Sequence, residues 1–153
     1  MNNPELSKLQ SLCARSEQAP YDIFQKALKM GLDSDAAQSL VDQLVSDNFL
    51  NTERYAQAFV SDKFRFEHWG RIKISYALRT KQIPDHDISI ALEEKIDDDE
   101  YLETCCDLLR SRMRGMSLPL SPNDRARLYR YLAQRGFESE VIGRALSTLI
   151  SQL

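Results

Sequence analysis

The chain has 153 residues, a formal net charge of −3, five glycines and five prolines. This length allows one ordinary domain or three small units that share a core, and so few glycines and prolines argue against long irregular stretches. The negative net charge argues against a general nucleic-acid-binding protein, and no apolar run approaches the roughly 18 residues that a membrane span needs. The first ten residues lack a basic segment followed by an apolar one, so we expect no signal peptide.

A sixteen-residue pattern recurs three times, and it occupies residues 26–41, 77–92 and 131–146. In each copy a turn residue precedes an apolar one, and two further apolar residues follow four positions apart on one helix face. Repeats of this period are typical of stacked helical units that bury their apolar faces against each other. We therefore predict an all-α fold of three tandem three-helix repeats, which occupy residues 1–49, 50–96 and 97–153.

Local signals place the helices within these repeats. Asp33 or Ser34 is the predicted N-cap of the third helix, and residues 51–53 are a capping signal for the fourth. Pro84 lies at the start of the sixth helix, where its missing N–H costs little, and Ser121 is the predicted N-cap of the eighth. No period-2 run of β-branched residues indicates a strand.

The alignment of the three copies also predicts turn and core positions. The turn residues are Gly31, Gln82 and Gly136. The residues that we expect to be buried in the second and third repeats are Leu78, Ile88, Leu92, Leu132, Ile142 and Leu146.

Charge is segregated along the chain. Residues 33–53 contain five acids and no base, and residues 93–107 contain eight acids and one lysine. Residues 63–81 contain six bases and one acid, and residues 110–135 contain seven arginines and one acid. A near-neutral total therefore conceals alternating acidic and basic blocks.

The two basic blocks supply candidate residues for binding phosphates or an acidic protein surface. Arg71 and Arg125 occupy the same repeat position. So do Lys73 and Arg127, whereas the first repeat has no base at either place. Stacked repeats would bring these helices into one basic stripe, although a solvated helix face is the simpler alternative. The candidates are Lys63, Arg65, Arg71, Lys73, Arg79, Lys81, Arg110, Arg112, Arg114, Arg125, Arg127, Arg130 and Arg135.

Residues 63–70 interleave bases with aromatic side chains, a mixture that can stack on nucleic-acid bases. Phe66 and Trp69 are therefore candidate aromatic contacts. The alternative is that both close a helix–helix corner, because indole rings are mostly buried.

Residues for catalysis are sparse. His68 and His86 lie in different repeats, and neither has a cysteine or carboxylate at a metal-ligand spacing. Phosphate-binding glycine loops and hydrolase or zinc-protease motifs are also missing from the sequence. The acidic run at residues 97–100 could bind a divalent ion, but it fits better as the first turn of a helix. We predict that the protein is not an enzyme and needs no metal or cofactor.

The three cysteines are Cys13, Cys105 and Cys106. Adjacent cysteines rarely pair with each other, and an odd number leaves one thiol over, so we expect free thiols in a reducing cytoplasm. Free cysteine is often buried, which favours a structural role for the adjacent pair.

Residues 47–83 resemble the signature segment of the RecX regulatory proteins. The family pattern is Gly-x-Leu-Asp-Asp-x-Arg-Phe-Ala, a glycine-marked turn, an isoleucine-rich helix and Leu-x-x-Lys-Gly-Ile. It is met here by Leu50, Arg54, Tyr55, Ala56, Gly70, Ile74, Leu78, Lys81 and Ile83. Residues 12–32 and 128–146 resemble the first and last repeats of the family. The departures are Asn48 for a glycine, Asn51 and Thr52 for the paired aspartates, and Gln82 for the turn glycine.

The resemblance implies a modulator of the RecA recombinase in DNA repair and recombination. Members of the family are elongated, curved proteins of three three-helix repeats that bind the RecA–DNA filament. They are not enzymes, and they usually restrain strand exchange and the associated ATPase and co-protease activities. We therefore expect a cytoplasmic monomer whose main partner is the RecA filament and which binds single- or double-stranded DNA secondarily.

Two alternatives remain open. One is a plain DNA-binding protein whose helix-turn-helix-like repeats read duplex, although a net charge of −3 counts against it. The other is a helical-repeat scaffold for unrelated proteins.

Overall fold

The computed structural model describes residues 3–152, which form nine α-helices and no strand. The prediction of an all-α fold is therefore confirmed. The helices are α1 (Pro4–Arg15), α2 (Pro20–Lys29), α3 (Ser34–Ser46), α4 (Thr52–Arg65), α5 (Arg71–Thr80), α6 (Asp85–Lys95), α7 (Asp98–Met113), α8 (Pro122–Gln134) and α9 (Ser139–Ser151). Within residues 3–152, every helix is too short or too polar to cross a membrane.

Side-chain caps begin several of these helices at the predicted residues. The Asp33 carboxylate accepts a hydrogen bond from the Ala36 amide at 2.8 Å, and the Asn51 side chain accepts one from the Arg54 amide at 2.9 Å. Ser121 does the same for α8. The acidic run starts α7, because Asp97 caps the helix and the acids after it lie in its first turn. Each cap satisfies an amide that has no partner inside the helix.

The repeated sequence pattern is a helix-ending motif. The predicted turn residues all have positive φ, at 96° for Gly31, 59° for Gln82 and 95° for Gly136. The next amide in each copy donates to the carbonyl five residues earlier, at 3.3 Å for Leu32, 3.1 Å for Ile83 and 3.1 Å for Phe137. This is the Schellman arrangement, in which an apolar residue after the turn packs back on the helix that has just ended. The pattern therefore recurs because three helices end in the same way.

Most of the predicted core positions are confirmed. Leu78, Ile88, Leu132 and Ile142 are all buried. Leu92 and Leu146 are only partly buried, so the prediction for these two is wrong. Ala91 and Ala145 are buried in their place. The buried stripe of α6 and α9 continues three residues after the isoleucine rather than four, and both spacings are compatible with one helix face.

The described residues divide into two compact units. Unit 1 runs to Phe59 and includes Leu78–Ala91, and unit 2 consists of Val60–Ala77 and the residues from Leu92 onward. The boundaries fall within α4, α5 and α6. The three-repeat limits at residues 1–49, 50–96 and 97–153 stay a prediction, and residues 1, 2 and 153 lie outside the described part.

Each unit has its own apolar core. In unit 1, α2 packs on α3 around Leu9, Ile23 and Leu44. In unit 2, α7 packs against α8 and α9, and the Tyr101 ring lies 5.0 Å from the Phe137 ring between centroids. The three cysteines are free, and burial raises the pKa of the Cys105 thiol to about 12, which keeps it protonated and unreactive.

The positive φ at Gln82 generates a prediction. A residue with a side chain costs about 1–2 kcal/mol in this conformation, whereas glycine adopts it freely. Relief of this strain in Gln82→Gly should raise the free energy of unfolding. Glycine also makes the unfolded chain more flexible, which offsets part of the gain, so we expect a net increase of about 1 kcal/mol. Urea unfolding followed by circular dichroism measures it.

Gly31→Ala is the matched control, because a Cβ at Gly31 would meet nothing within 4 Å and only the backbone conformation is tested. It should lower stability by about 1 kcal/mol. A Gln82→Gly protein that is less stable than the wild type would contradict the account of this turn.

Candidate nucleic-acid interface on unit 2

The start of α5 is joined to the end of α8 by backbone hydrogen bonds. The Gly70 amide donates to the Arg135 carbonyl at 2.7 Å, and the Ile72 amide donates to the Gly136 carbonyl at 3.0 Å. Amides at a helix start and carbonyls at a helix end have no partners within their own helices, so each end satisfies the other. A Cβ on Gly70 would lie 2.3 Å from the Gly136 carbonyl carbon. A Cβ on Gly136 would lie 2.4 Å from that of Lys73, so both positions require glycine.

Arg135 reinforces this junction from its side chain. Its guanidinium donates to the Glu67 carbonyl at 2.6 Å and to the His68 carbonyl at 3.3 Å. His68 has a positive φ of 57°, and the two hydrogen bonds hold the chain that turns there between α4 and α5. Arg135 is therefore a structural residue of the turn as well as a candidate for binding.

Two lysines lie against the ring of Trp69, just before α5. The Lys73 ammonium is 4.3 Å from the ring centroid and the Lys63 ammonium is 5.0 Å from it. An ammonium over an indole face is attracted by the ring quadrupole. Trp69 is half-buried, whereas Phe66 is 76% exposed. Phe66 therefore does not close a helix–helix corner, and Phe64 is the buried ring of this segment.

A second group of cations surrounds Tyr131 on α8. The guanidinium carbon of Arg112 lies 4.0 Å from the Tyr131 ring centroid and that of Arg135 lies 5.5 Å from it. Arg112, Arg127, Arg130 and Tyr131 line an open cavity of about 310 Å³, and we call these four residues the Tyr131 cluster. Within residues 3–152, Arg112, Arg127 and Arg130 form no ion pair with a carboxylate. The cluster is therefore a concave, electropositive surface.

Arg71 has a different environment from its repeat partner Arg125. Its guanidinium lies 3.9 Å from the Tyr101 ring centroid and forms ion pairs with Asp98 at 2.6 Å and Glu138 at 2.9 Å. Tyr101 completes the network, because its hydroxyl accepts a hydrogen bond from the Arg71 amide and donates one to Glu138. Burial raises the pKa of Tyr101, and the hydrogen bond to Glu138 raises it further. This network ties α5, α7 and the start of α9 together, so Arg71 has a structural role.

The other candidate bases fall into three groups. Arg65 and Arg110 pair with acids on α7, and Arg114 and Arg125 are exposed without an ion pair in the described part of the chain. Arg79 pairs with Asp85 and Lys81 pairs with Asp22 inside unit 1. The continuous basic stripe stays a prediction. The structure brings part of the candidate set together, as Arg112, Arg127 and Arg130.

Tyr131 lines the arginine-rich cavity and Ile72 and Tyr76 are exposed, and none of the three is among the candidates that the sequence predicts. Ile72 and Tyr76 are four residues apart on α5, on a different side from buried Ile74 and Leu78, and they are 56% and 74% exposed. Apolar residues off the core stripe of an amphipathic helix are a signal that the sequence does carry. Tyr131 carried no such signal, because its arginine neighbours come from two helices.

The comparisons with known proteins agree with this architecture. The family model for the second three-helix domain of RecX matches residues 51–92, and the model for the third matches residues 98–146. The "Regulatory protein RecX" of Pseudomonas savastanoi pv. phaseolicola is 32% identical over 137 residues, which cover 89% of this chain and 85% of that protein. This chain belongs to the RecX family. The resemblance found in the sequence is therefore confirmed.

Further RecX proteins show the same likeness. The one from Pseudomonas fluorescens strain SBW25 is 31% identical over the same share of each chain. The crystal structure of RecX from Lactobacillus salivarius has a TM-score of 0.81 at 17% identity and covers 97% of this chain and 98% of its own. At that identity the match supports the RecX fold alone, and the sequence relatives carry the description as a regulatory protein.

The close approach at Gly70 generates a prediction. Gly70→Ala should destabilise the protein by about 1–3 kcal/mol, because the added methyl overlaps backbone atoms that cannot move aside. Gly143→Ala on α9 is the control: a Cβ there meets nothing within 4 Å, and alanine should stabilise the helix by about 1 kcal/mol. Thermal unfolding measures the melting temperature of both variants. An equal change in the two melting temperatures would contradict the close backbone contact at Gly70.

A second prediction separates Arg71 from its neighbour Lys73. Arg71→Gln should lower the free energy of unfolding by about 1–3 kcal/mol, because Glu138 and Asp98 lose a partly buried partner. Lys73→Gln removes the same charge from the same helix but breaks no ion pair within residues 3–152. It loses only the contact with the Trp69 ring, so its effect should stay below about 1 kcal/mol. Urea unfolding measures both, and a Lys73 effect as large as that of Arg71 would refute the structural assignment.

Proposed function

We propose that this chain modulates the RecA recombinase by binding the RecA–DNA filament, and that it inhibits the filament during DNA repair and recombination. Family membership supports the general role, since the curated relatives are named regulatory proteins. The observation that carries the proposal is the Tyr131 cluster, in which three guanidiniums surround one cavity and none is paired with a carboxylate of the described residues. Such a surface favours the phosphates of a nucleic acid.

The cluster is suited to a modest affinity for DNA. A guanidinium presents a planar set of N–H donors that matches the oxygens of a phosphate. The Tyr131 ring lies under the guanidinium of Arg112 and orients it. Each phosphate that is neutralised adds to binding, so a site of three arginines gives a limited, salt-sensitive gain. Residues 93–107 carry eight acids against one lysine and repel the rest of a bare strand.

A protein–DNA filament offers what bare DNA lacks. It presents phosphate for the cluster and protein surface for the acidic blocks, so both charge signs can find partners. The same reasoning favours a regulator over a plain DNA-binding protein, which would gain from a broadly basic face. We propose that the chain acts as a cytoplasmic monomer and has no enzymatic activity of its own.

Binding to three ligands tests the proposal. Fluorescence anisotropy at one salt concentration near physiological compares RecA–single-strand filaments, bare single strand and bare duplex. We expect the filament to bind tightest and RecA ATP hydrolysis to fall when the chain is added. Equal affinity for bare duplex, together with unchanged RecA turnover, would favour the plain DNA-binding alternative.

The cluster itself is tested by a triple variant, in which Arg112, Arg127 and Arg130 become glutamine. We expect weaker filament binding and a salt dependence of log K that is shallower by about 2, because about three phosphate contacts are lost. The matched control changes the exposed Arg15, Lys29 and Arg144 to glutamine and gives the same net charge. Equal losses in the two variants would mean that overall charge, and not the cluster, sets the affinity.

A further inference from the structure

Exposed apolar side chains are concentrated in the segment of the chain that contains Trp69. Six large hydrophobic residues are exposed in the described part of the chain, and three of them lie within residues 66–76. These are Phe66 at 76%, Ile72 at 56% and Tyr76 at 74% exposed, and we call them the aromatic face. A local concentration of this kind marks a binding surface more often than scattered single residues do.

The buried stripe of α5 does not account for these exposed residues. The α5 residues Ile74 and Leu78 are fully buried and already supply the stripe that packs inward. Ile72 and Tyr76 are one helical turn apart and form a second apolar stripe that points to solvent. The backbone hydrogen bonds at Gly70 fix the start of α5, so the stripe is held on a rigid element.

The charges around the aromatic face indicate which class of ligand it binds. Lys63 and Lys73 lie against the Trp69 ring, just before α5, whereas Arg65, which precedes Phe66 in the chain, is paired with Glu100. Bases stack on exposed aromatic rings while cations hold the backbone that joins them. A strand with unpaired bases presents both groups at once, whereas the bases of a duplex are already stacked on each other.

We infer that the aromatic face binds unpaired bases of single-stranded DNA, with Phe66 and Tyr76 as stacking platforms and Lys63 and Lys73 as phosphate partners. This rests on the proposed function, because it names the form of nucleic acid that the chain engages. The aromatic face is a second contact site for the nucleic acid, in addition to the Tyr131 cluster, which we propose binds phosphate groups only. The pair of contacts makes the chain select single strand over duplex.

Trp69 supplies the readout, because it is the single tryptophan of the chain. Titration of the full chain with a poly-dT oligonucleotide should change the fluorescence emission of Trp69. The dissociation constant from fluorescence anisotropy should be lower for poly-dT than for a blunt hairpin duplex. Equal affinity for the hairpin would overturn the inference.

Leucine substitutions separate stacking from apolar docking. The double change Phe66→Leu and Tyr76→Leu keeps an apolar surface but removes both rings, and it should weaken poly-dT binding by about tenfold or more for each ring. Phe66→Tyr with Tyr76→Phe keeps the rings and should bind as the wild type does. Leu118→Ala removes an exposed apolar side chain outside the face and should also change nothing. The melting temperature of each variant confirms that it is folded.

The opposite pattern identifies a protein-docking surface. If the leucine variant keeps its affinity for poly-dT while Phe66→Ala with Tyr76→Ala loses only binding to the RecA filament, the inference is overturned. RecA ATP hydrolysis distinguishes the two proposals. A chain that stacks poly-dT but leaves RecA turnover unchanged keeps the inference and refutes the proposed function. If the wild-type chain inhibits RecA but the leucine variant binds poly-dT as the wild type does, the proposed function is kept and the inference is refuted.

Discussion

The hydrogen bonds between the end of α8 and the start of α5 are the constraint on which the interface of unit 2 depends. Gly70 and Gly136 let two backbones approach so closely that the ends of two helices satisfy each other. Helix ends otherwise need side chains or water for their free amides and carbonyls. Because the contact is made by backbone, it fixes the direction of α5 and places Trp69 and Lys73 beside the last turn of α8.

The cations of unit 2 divide into structural and available groups. Arg71 lies on Tyr101 and neutralises Asp98 and Glu138, and it holds together the helices that carry the rest of the surface. Arg112 and Arg127 form no ion pair with a carboxylate among residues 3–152, and both line the cavity at Tyr131. Two arginines at equivalent repeat positions, Arg71 and Arg125, can thus have different roles. A charge already neutralised inside the fold contributes little to binding an outside phosphate.

The three helix-ending motifs show how a repeat can diverge. Gly31 and Gly136 adopt the left-handed conformation at no cost, and Gln82 adopts it with strain. The apolar residue after each turn still packs on its helix, as the burial of Ile83 and Phe137 shows. The motif therefore survives the loss of its glycine because the apolar contact and the backbone hydrogen bonds remain.

The sequence by itself determined the helices, their caps, their ends and most of the buried face, because these depend on contacts within a few residues along the chain. The capping pairs at Asp33 and Asn51 are of this kind, and so is the repeated turn at Gln82. The sequence also carried enough of the RecX pattern to identify the family. It could not separate Arg71 from Arg125, nor reveal that Tyr131 gathers arginines from two helices. Those assignments depend on which helices become neighbours, and residues as distant in sequence as Arg71 and Glu138 meet only when the tertiary structure forms.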